Sequence, residues 1–279
     1  MSPIPIFMYH HVSPHKGDMV TVAPDVFEAQ MRFLADAGYK TLSADEVLDY
    51  ILGTSEIHEK AVAVTFDDGY LDNYIYAFPV FKKYNIKATI FIVTDWVEAA
   101  SLNTVRSQGP APAGFKQGSE VRSDEIIVPS HTEGKSFVAS SQAHKVIMNW
   151  DMIKDMQKSG LAGFYSHTVS HKKCDELSDE KLMMELKDSK RVTEQRLHKP
   201  CPYLCWPKGS FNESAVKIAR EAGYEAVFTT QKGVVRTGSN RYCIERIVVK
   251  DSAGWFKNKV RIYTNPLLSS IYLAIRGKE

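Results

Sequence analysis

The chain has 279 residues, of which 44% are hydrophobic and 24% charged, as expected for a globular protein of one large domain or two small ones. The formal net charge of +2 is too small to indicate a nucleic-acid partner. The opening MSPIPIF lacks the basic and apolar segments of a signal peptide, and no apolar run approaches the roughly eighteen residues of a membrane span. We therefore expect a cytoplasmic protein whose four cysteines are reduced, with Cys201 and Cys205 as packed thiols.

Apolar runs of strand length alternate with segments of helical periodicity along the chain. In chain order the predicted elements are a strand at Ile4–Tyr9, a helix at Pro24–Ala37, a strand at Ala61–Phe66, a helix at Asn73–Tyr84, a strand at Ala88–Val93, a helix at Trp150–Ser159, a strand at Leu161–Tyr165, a helix from Ser178 to about Leu197, a strand at Tyr203–Trp206, a helix at Glu213–Ala222 and a strand at Ala226–Thr230. Repeated β–α units predict a parallel α/β sheet covered on both faces, either open or closed into a barrel.

The alternation is interrupted from Ser101 to about Lys145. This segment is rich in Gly, Pro, Ser, Gln and Lys and has no sustained periodicity. A patternless stretch of this length inside a compact domain is typically a functional loop or disorder. We predict an insertion over the barrel mouth at about 101–145, with an unstructured surface loop as the alternative.

Two adjacent carboxylates follow the second predicted strand, where residues 64–69 read VTFDDG. Asp67 and Asp68 stand at the carboxyl end of the strand, where α/β folds build their sites. Because successive side chains of a strand point to opposite faces, one aspartate can bind a metal ion while the other faces a reacting water. Taken alone, the pattern is also typical of an ordinary turn.

Two histidines four residues apart follow a later predicted strand, where residues 167–171 read HTVSH. On one tight loop or helical turn both imidazoles of His167 and His171 can reach the same ion. Together with one aspartate they make an open triad that leaves positions for water and substrate. Solvated histidines are the alternative.

The stretches VTFDDGY, SHTVSH and CWPKGSFN, in this order, resemble the three leading motifs of NodB-type polysaccharide deacetylases, carbohydrate esterase family four. The resemblance extends to the flanking segments and covers roughly Ile6 to Val249, apart from the insertion. It implies a distorted (β/α) barrel that hydrolyses the N-acetyl group of amino sugars.

The resemblance also implies roles for individual residues. Asp67 corresponds to the general base, and Asp68, His167 and His171 correspond to the ligands of one divalent metal ion. Zinc is the expected ion, with cobalt or nickel as alternatives because sites of histidine and carboxylate discriminate poorly among them.

The general acid departs from the common family pattern. Nothing after His198 supplies the histidine of the usual Leu-x-His motif. The opening strand ends in FMYHHV, which resembles the permuted subgroup of poly-N-acetylglucosamine deacetylases, where a Tyr-His pair supplies this group. We expect His10 to be the general acid, with His11 as the alternate and a buried structural histidine as the remaining alternative.

The third motif departs as well, since WPKG at 206–209 stands where the family has Arg-x-Pro-Tyr-Gly. Arg246 is a candidate to orient Asp67 through a charge-assisted hydrogen bond, and an ordinary surface arginine is the alternative. The predicted substrate contacts are Trp206, Pro207 and Gly209. Trp206 either lines the acetyl pocket or belongs to the core.

The C-terminal residues 250–279 have a net charge of +4, from four Lys and two Arg against Asp251 and Glu279. Apolar residues recur at helical spacing from Asn265 to Arg276. We expect a catalytic barrel over 1–249 followed by this basic amphipathic tail. Residues 257–276 either lie on an anionic membrane surface, which would make the protein peripheral at the inner membrane face, or pack on the barrel.

The sequence does not identify the sugar. The expected cytoplasmic location favours a biosynthetic intermediate, such as a lipid-linked saccharide or a lipopolysaccharide precursor, over an extracellular glycan. A barrel that binds carbohydrate without catalysis is the alternative function, and the presence of both Asp67 and the metal-ligand set argues against it.

Overall fold

A closed parallel β-barrel forms the centre of the protein. The structure is a computed structural model that describes residues 2–14, 20–108, 136–140 and 142–276. The strands of the described residues are β1 (Ile6–Tyr9), β2 (His11–Val12), β3 (Thr21–Val22), β4 (Lys40–Leu42), β5 (Ala61–Phe66), β6 (Ala88–Ile92), β7 (Ala162–Ser166), β8 (Tyr203–Cys205), β9 (Ala226–Lys232) and β10 (Ile244–Val248). β2 and β3 pair with each other in a separate small sheet. Among the described residues, seven strands form the ring in the order β1-β10-β9-β8-β7-β6-β5, and the ring closes because β5 also pairs with β1. The predicted distorted (β/α) barrel is confirmed.

The distortion lies at β5, which pairs on one side with two strands. Ala63 is the register partner both of Leu42 in β4 and of Ile6 in β1. β4 therefore extends the sheet outside the ring, while the later residues of β5 pair with β1. All six residues of β5 are buried, as expected for a parallel strand that is covered on both faces.

Helices surround the ring. They are α1 (Pro24–Asp36), α2 (Ala44–Leu52), α3 (Phe78–Tyr84), α4 (Thr94–Gln108), α5 (Trp150–Lys158), α6 (Asp179–Leu197), α7 (Glu213–Glu221), α8 (Ala253–Tyr263) and α9 (Pro266–Arg276). Helix α1 begins with proline in its first turn and buries Phe27, Met31 and Leu34, which recur at helical spacing. Phe27 meets the rings of Phe66 and Phe81 edge-on, and this contact joins the helix layer to the barrel.

Several elements differ from the sequence prediction. β4 and α2 were not predicted, because β4 has only three residues and one of them, Lys40, is exposed. Helix α2 nevertheless carries strong local signals, a capping box between Ser43 and Glu46 and a left-handed Gly53 at its end. The predicted helix Asn73–Tyr84 is divided into a π-helical turn over Asn73–Ala77 followed by α3. The side-chain amide of Asn73 donates a hydrogen bond to the carbonyl oxygen of His10 over 2.8 Å, so this turn holds the end of β1.

The predicted insertion at 101–145 is narrower in the structure. Helix α4 continues to Gln108, and Ala143–Lys145 forms a 3₁₀ turn. The central part of the predicted insertion, 109–135, and residue 141 lie outside the described residues.

The C-terminal segment predicted as a separate tail forms two helices, and the first belongs to the barrel core. Phe256, Val260 and Tyr263 of α8 are buried, and the ring of Phe256 lies 4.6 Å from that of Phe7 in β1. A domain boundary at residue 249 therefore divides one hydrophobic core. In the described part of the chain, every helix is too short or too polar to cross a membrane.

We predict that Phe256→Ala lowers the free energy of unfolding by about 3–5 kcal/mol, because it leaves a cavity against β1. Leu268→Ala, at a side chain that is half exposed on α9, serves as the matched control and should change stability by less than about 0.5 kcal/mol. Chemical denaturation measures both. Equal small effects would contradict the assignment of α8 to the core.

Candidate active site

The candidate catalytic residues follow the carboxyl ends of barrel strands. His10 follows β1, Asp67 follows β5 and His167 follows β7. Each strand end is tied to its neighbour: the backbone N–H of Asp67 donates to the carbonyl of Tyr9 over 3.1 Å, and that of His167 donates to the carbonyl of Ile92 over 2.8 Å. Because the strands are parallel, these side chains meet at one end of the barrel.

Asp68, His167 and His171 form a compact cluster. The Oδ1 atom of Asp68 lies 3.4 Å from Nε2 of His167 and 3.2 Å from Nε2 of His171. One ligand atom from each residue lies within 4.8 Å of the other two. Oδ1 of Asp68 is buried and accepts no hydrogen bond within the described part of the chain. A carboxylate oxygen and two imidazole nitrogens at this spacing fit a divalent ion such as zinc with open coordination positions.

The tautomer of His167 is determined by its hydrogen bond. Nδ1 lies 2.8 Å from the backbone carbonyl oxygen of Cys205. A carbonyl can only accept, so Nδ1 carries a proton and donates it, which leaves Nε2 directed at Asp68. Outer hydrogen bonds of this kind orient metal-binding histidines and raise their basicity.

Burial opposes ionisation of Asp68, but the imidazoles of His171 and His167 lower the pKa of its carboxyl well below the usual range. The carboxylate is therefore ionised at neutral pH. This is the protonation state that a metal ligand requires.

Left-handed backbone is concentrated in the two loops that carry the cluster. Asp68 has φ 76°, Thr168 φ 66° and His171 φ 58°, and such conformations cost non-glycine residues on the order of 1 kcal/mol or more. Gly69 continues the turn at φ 81°, where an added Cβ would lie 3.0 Å from Cγ2 of Ile92. The DDG sequence therefore serves a turn that a bulkier residue at 69 would strain.

The loop between the two histidines is held by Glu185 of α6. Its Oε2 accepts hydrogen bonds from the backbone N–H of Val169 over 3.0 Å and of Ser170 over 2.9 Å, and its Oε1 accepts one from the Ser170 hydroxyl. Glu185 thus ties α6 to the strained turn between His167 and His171. Sequence reasoning missed Glu185, because a glutamate within a long charged helix is typical of a solvated face.

Asp67 and Arg246 form a buried bidentate ion pair. Nη1 and Nη2 of Arg246 each donate to one carboxylate oxygen of Asp67 over 2.7 Å. The remaining N–H groups donate to the carbonyl of Thr229 over 2.8 Å, to Oγ1 of Thr65 over 3.2 Å and to Sγ of Cys205 over 3.0 Å. All five donors of the guanidinium are therefore engaged inside the barrel. Burial alone would raise the pKa of Asp67, but Arg246 lowers it below the usual value of an aspartate.

Cys205, the last residue of β8, lies against the acid pair. The small side chain of Cys205 is fully buried, and its Sγ lies 3.7 Å from both carboxylate oxygens of Asp67. Burial raises the pKa of the Cys205 thiol, so the group stays neutral between the two charges. Cys205 is a packed thiol, as predicted, but its contact with the ion pair of Asp67 and Arg246 was not predicted.

The adjacent histidines at the end of β1 point to different surroundings. Nε2 of His10 lies 3.9 Å from Oδ2 of Asp67, and 17% of the His10 side chain is exposed. Burial lowers the pKa of His10, and the charges of Asp67 and Asp68 oppose the shift. His11 is buried instead, with Nδ1 2.6 Å from Oδ2 of Asp72 and its ring stacked on Tyr70.

The third-motif residues lie partly in the core. Trp206 and Pro207 are buried, and the indole of Trp206 stacks parallel to the ring of Phe211. Gly209 has φ 65° and lines an open groove of about 600 Å³ on the side of α7, together with Phe211 and Tyr242 among others. Substrate contact by Trp206, Pro207 and Gly209 stays a prediction.

Comparisons with known proteins agree with this arrangement. A family model described as polysaccharide deacetylase matches residues 54–227, more than half of the chain. The chain is 30% identical over 246 residues to YxkH of Bacillus subtilis, a protein assigned to the polysaccharide deacetylases, covering 88% of this chain and 71% of that one. It is 24% identical over 262 residues to a poly-β-1,6-N-acetyl-D-glucosamine N-deacetylase of Staphylococcus aureus, covering 88% and 74% of the two chains.

Solved structures share the fold. The Streptococcus pyogenes deacetylase PplD in complex with acetate superposes with a TM-score of 0.72 at 24% identity, covering 95% of this chain and 99% of that one. IcaB from Ammonifex degensii superposes with a TM-score of 0.67 at 22% identity, covering 92% and 98%. The resemblance carried by the three motifs is confirmed, and the chain belongs to the polysaccharide deacetylase family.

Proposed function

We propose that the protein hydrolyses the N-acetyl group of an N-acetylhexosamine in a glycan or lipid-linked saccharide, releasing acetate. One divalent cation, zinc by preference and cobalt or nickel as alternatives, would be held by Asp68, His167 and His171. The observation that carries the proposal is the buried carboxylate of Asp67, which Arg246 keeps ionised beside this ligand set.

In this scheme Asp67 is the general base. When bound, a divalent cation would polarise the acetyl carbonyl and lower the pKa of the water that it binds. The carboxylate of Asp67 accepts the proton that the attacking water loses, and its ion pair with Arg246 keeps it ionised and oriented. Its neighbour Asp68 is committed to the two histidines, so the adjacent aspartates have separate tasks.

The leaving amine needs a proton when the C–N bond breaks, and we assign its donor to His10. The 3.9 Å between Nε2 of His10 and Oδ2 of Asp67 supports this role, since both groups then face one reacting amide. The carboxylates of Asp67 and Asp68 partly offset the lowering of the His10 pKa by burial, which favours uptake of the proton that is later donated. His11 is committed to Asp72 and is the weaker candidate.

The substrate class rests on similarity to relatives. The S. aureus relative is named for poly-β-1,6-N-acetyl-D-glucosamine, which supports a glycan of N-acetylglucosamine as the first substrate to test. The same proposal includes two extensions. The first is that the substrate is a lipopolysaccharide precursor in the cytoplasm, and the second is that residues 257–276 contact the membrane surface. A barrel that only binds carbohydrate is the second candidate, and it is disfavoured because binding alone does not require an ionised, buried Asp67.

We predict that Asp67→Asn binds one equivalent of zinc and loses about two to four orders of magnitude in acetate release, as expected when a general base is removed. His167→Ala should instead lose the stoichiometric zinc. Metal analysis and acetate release from N-acetylglucosamine oligomers measure both. Near-normal turnover in zinc-loaded Asp67→Asn would contradict the role of Asp67, and absence of acetate release from the zinc-loaded parent on every glycan would favour the binding barrel.

We predict that His10→Ala lowers turnover on N-acetylated sugars by about 100-fold or more while leaving cleavage of an activated acetyl ester nearly unchanged, because that leaving group needs no proton. His11→Ala is the matched control. It should lower the melting temperature, since it removes the histidine partner of the buried Oδ2 of Asp72 although the bond from Asn73 to Oδ1 remains, and it should affect both substrates alike in the folded fraction. A larger loss of turnover on N-acetylated sugars in His11→Ala than in His10→Ala would assign the general acid to His11.

We predict that Arg246→Gln shifts the acidic limb of the kcat/KM profile to higher pH. The base must be ionised, and the pKa of Asp67 is held below its usual value by Arg246, so removal of this charge lets burial raise it. Arg246→Lys keeps the charge and should shift the limb less. A purely structural role would lower the melting temperature of both variants with the limb unmoved, and that result would contradict the positioning role.

A further inference from the structure

The last helix, α9, exposes an apolar stripe made of Leu267, Leu268, Ile271 and Ile275. These side chains are 48% to 69% exposed, and they make up half of the large apolar side chains exposed among the described residues. Three of them recur every fourth residue and so share one face of the helix. A contiguous apolar surface of this kind on a folded protein usually marks an interaction site.

The stripe is not needed to attach the helix, because α9 is held by other side chains. Tyr272 and Leu273 pack against the core, and the ring of Tyr272 meets that of Tyr263 edge-on at 5.6 Å. Nη2 of Arg236 donates to Oγ of the buried Ser269 over 3.0 Å. The stripe faces away from these contacts.

The segment that carries the stripe is charged with one sign. Residues 252–278 contain no aspartate or glutamate and five basic residues. Cations also contact α9 directly: Nζ of Lys259 lies 4.0 Å from the ring centroid of Tyr272, and Nζ of Lys232 lies 5.6 Å from the same centroid. A second copy of the chain docked symmetrically on the stripe would bring like charges together, which disfavours self-association.

We propose that the α9 stripe docks on the surface of a bilayer that contains anionic phospholipid. Apolar side chains on one face of a helix enter the boundary between headgroups and acyl chains, and neighbouring cations are attracted to the headgroups. This assigns the peripheral contact of 257–276 to a defined surface. It rests on exposure and charge alone and does not depend on the deacetylase reaction.

Helix α9 begins near the amino ends of strands and continues toward the end of β9, where Lys232 contacts Tyr272. The hydroxyl of Thr264, which caps the end of α8 just before α9, lies 3.5 Å from Oη of Tyr39, which precedes β4. Arg236, which holds α9, follows Val235, and Val235 pairs with Ile4 just ahead of β1. These are amino ends of strands, whereas the candidate site is at the carboxyl ends.

The test compares binding of the full chain to vesicles of phosphatidylglycerol in phosphatidylcholine and to vesicles of phosphatidylcholine alone, at low and at high salt. Binding is expected on the anionic vesicles at low salt and should weaken at high salt. The triple substitution Leu267→Ser, Ile271→Ser and Ile275→Ser should weaken it by about tenfold or more. Met184→Ser, at an exposed apolar side chain of α6, is the matched control and should change it by less than about twofold.

Three outcomes would overturn the docking proposal. They are absence of binding to anionic vesicles, unchanged binding by the triple variant, and a dimer of the parent chain that the triple variant dissociates. Melting temperatures should be equal for all variants, since the substituted side chains are exposed. Acetate release from a soluble N-acetylglucosamine oligomer is measured in parallel, so that its failure counts against the proposed function and failure of vesicle binding counts against docking.

Discussion

The buried ion pair between Asp67 and Arg246 is the interaction on which the rest of the site depends. A carboxylate taken out of water costs several kcal/mol unless a partner with good geometry compensates it. The two residues are 179 positions apart, one following β5 and the other inside β10, and β1 lies between these strands in the ring. The pair can form only when β5 and β10 are both in place beside β1, so closure of the ring is what brings Asp67 and Arg246 together.

The cluster of Asp68, His167 and His171 could be predicted from the sequence because its signals are local. Asp68 sits in a strand-to-glycine turn, His167 and His171 are four residues apart, and each group follows an apolar strand. The sequence left two roles open for Arg246, the partner of Asp67 or an ordinary surface arginine. Its partner is distant in the chain, and a lone arginine carries no periodic signal. Glu185 and the contact of Cys205 with the acid pair were missed for the same reason: both depend on which elements become neighbours in the ring.

The strained turns indicate that the ligand cluster is organised by the protein. Left-handed conformations at Asp68, Thr168 and His171 persist only where surrounding contacts compensate for them. Glu185 holds the histidine loop through backbone N–H groups, and the carbonyl of Cys205 fixes the ring of His167. The same residue, Cys205, thus contacts the base through its thiol and orients a metal ligand through its backbone. Displacement of β8 would disturb both parts of the site at once.

The charges that set the pKa of Asp67 belong to the site itself. Ring strands of three to seven residues span roughly 10–23 Å, whereas charges in water at physiological salt are screened beyond about 8 Å. The pKa of Asp67 is set by burial and by a guanidinium whose five donors are all engaged inside the barrel. Helix α9 is nevertheless linked to this pair, because Lys232, whose ammonium lies 5.6 Å from the ring of Tyr272, is the register partner of Arg246 in the sheet. The surface at α9 and the acid pair thus share one strand pairing as well as the core.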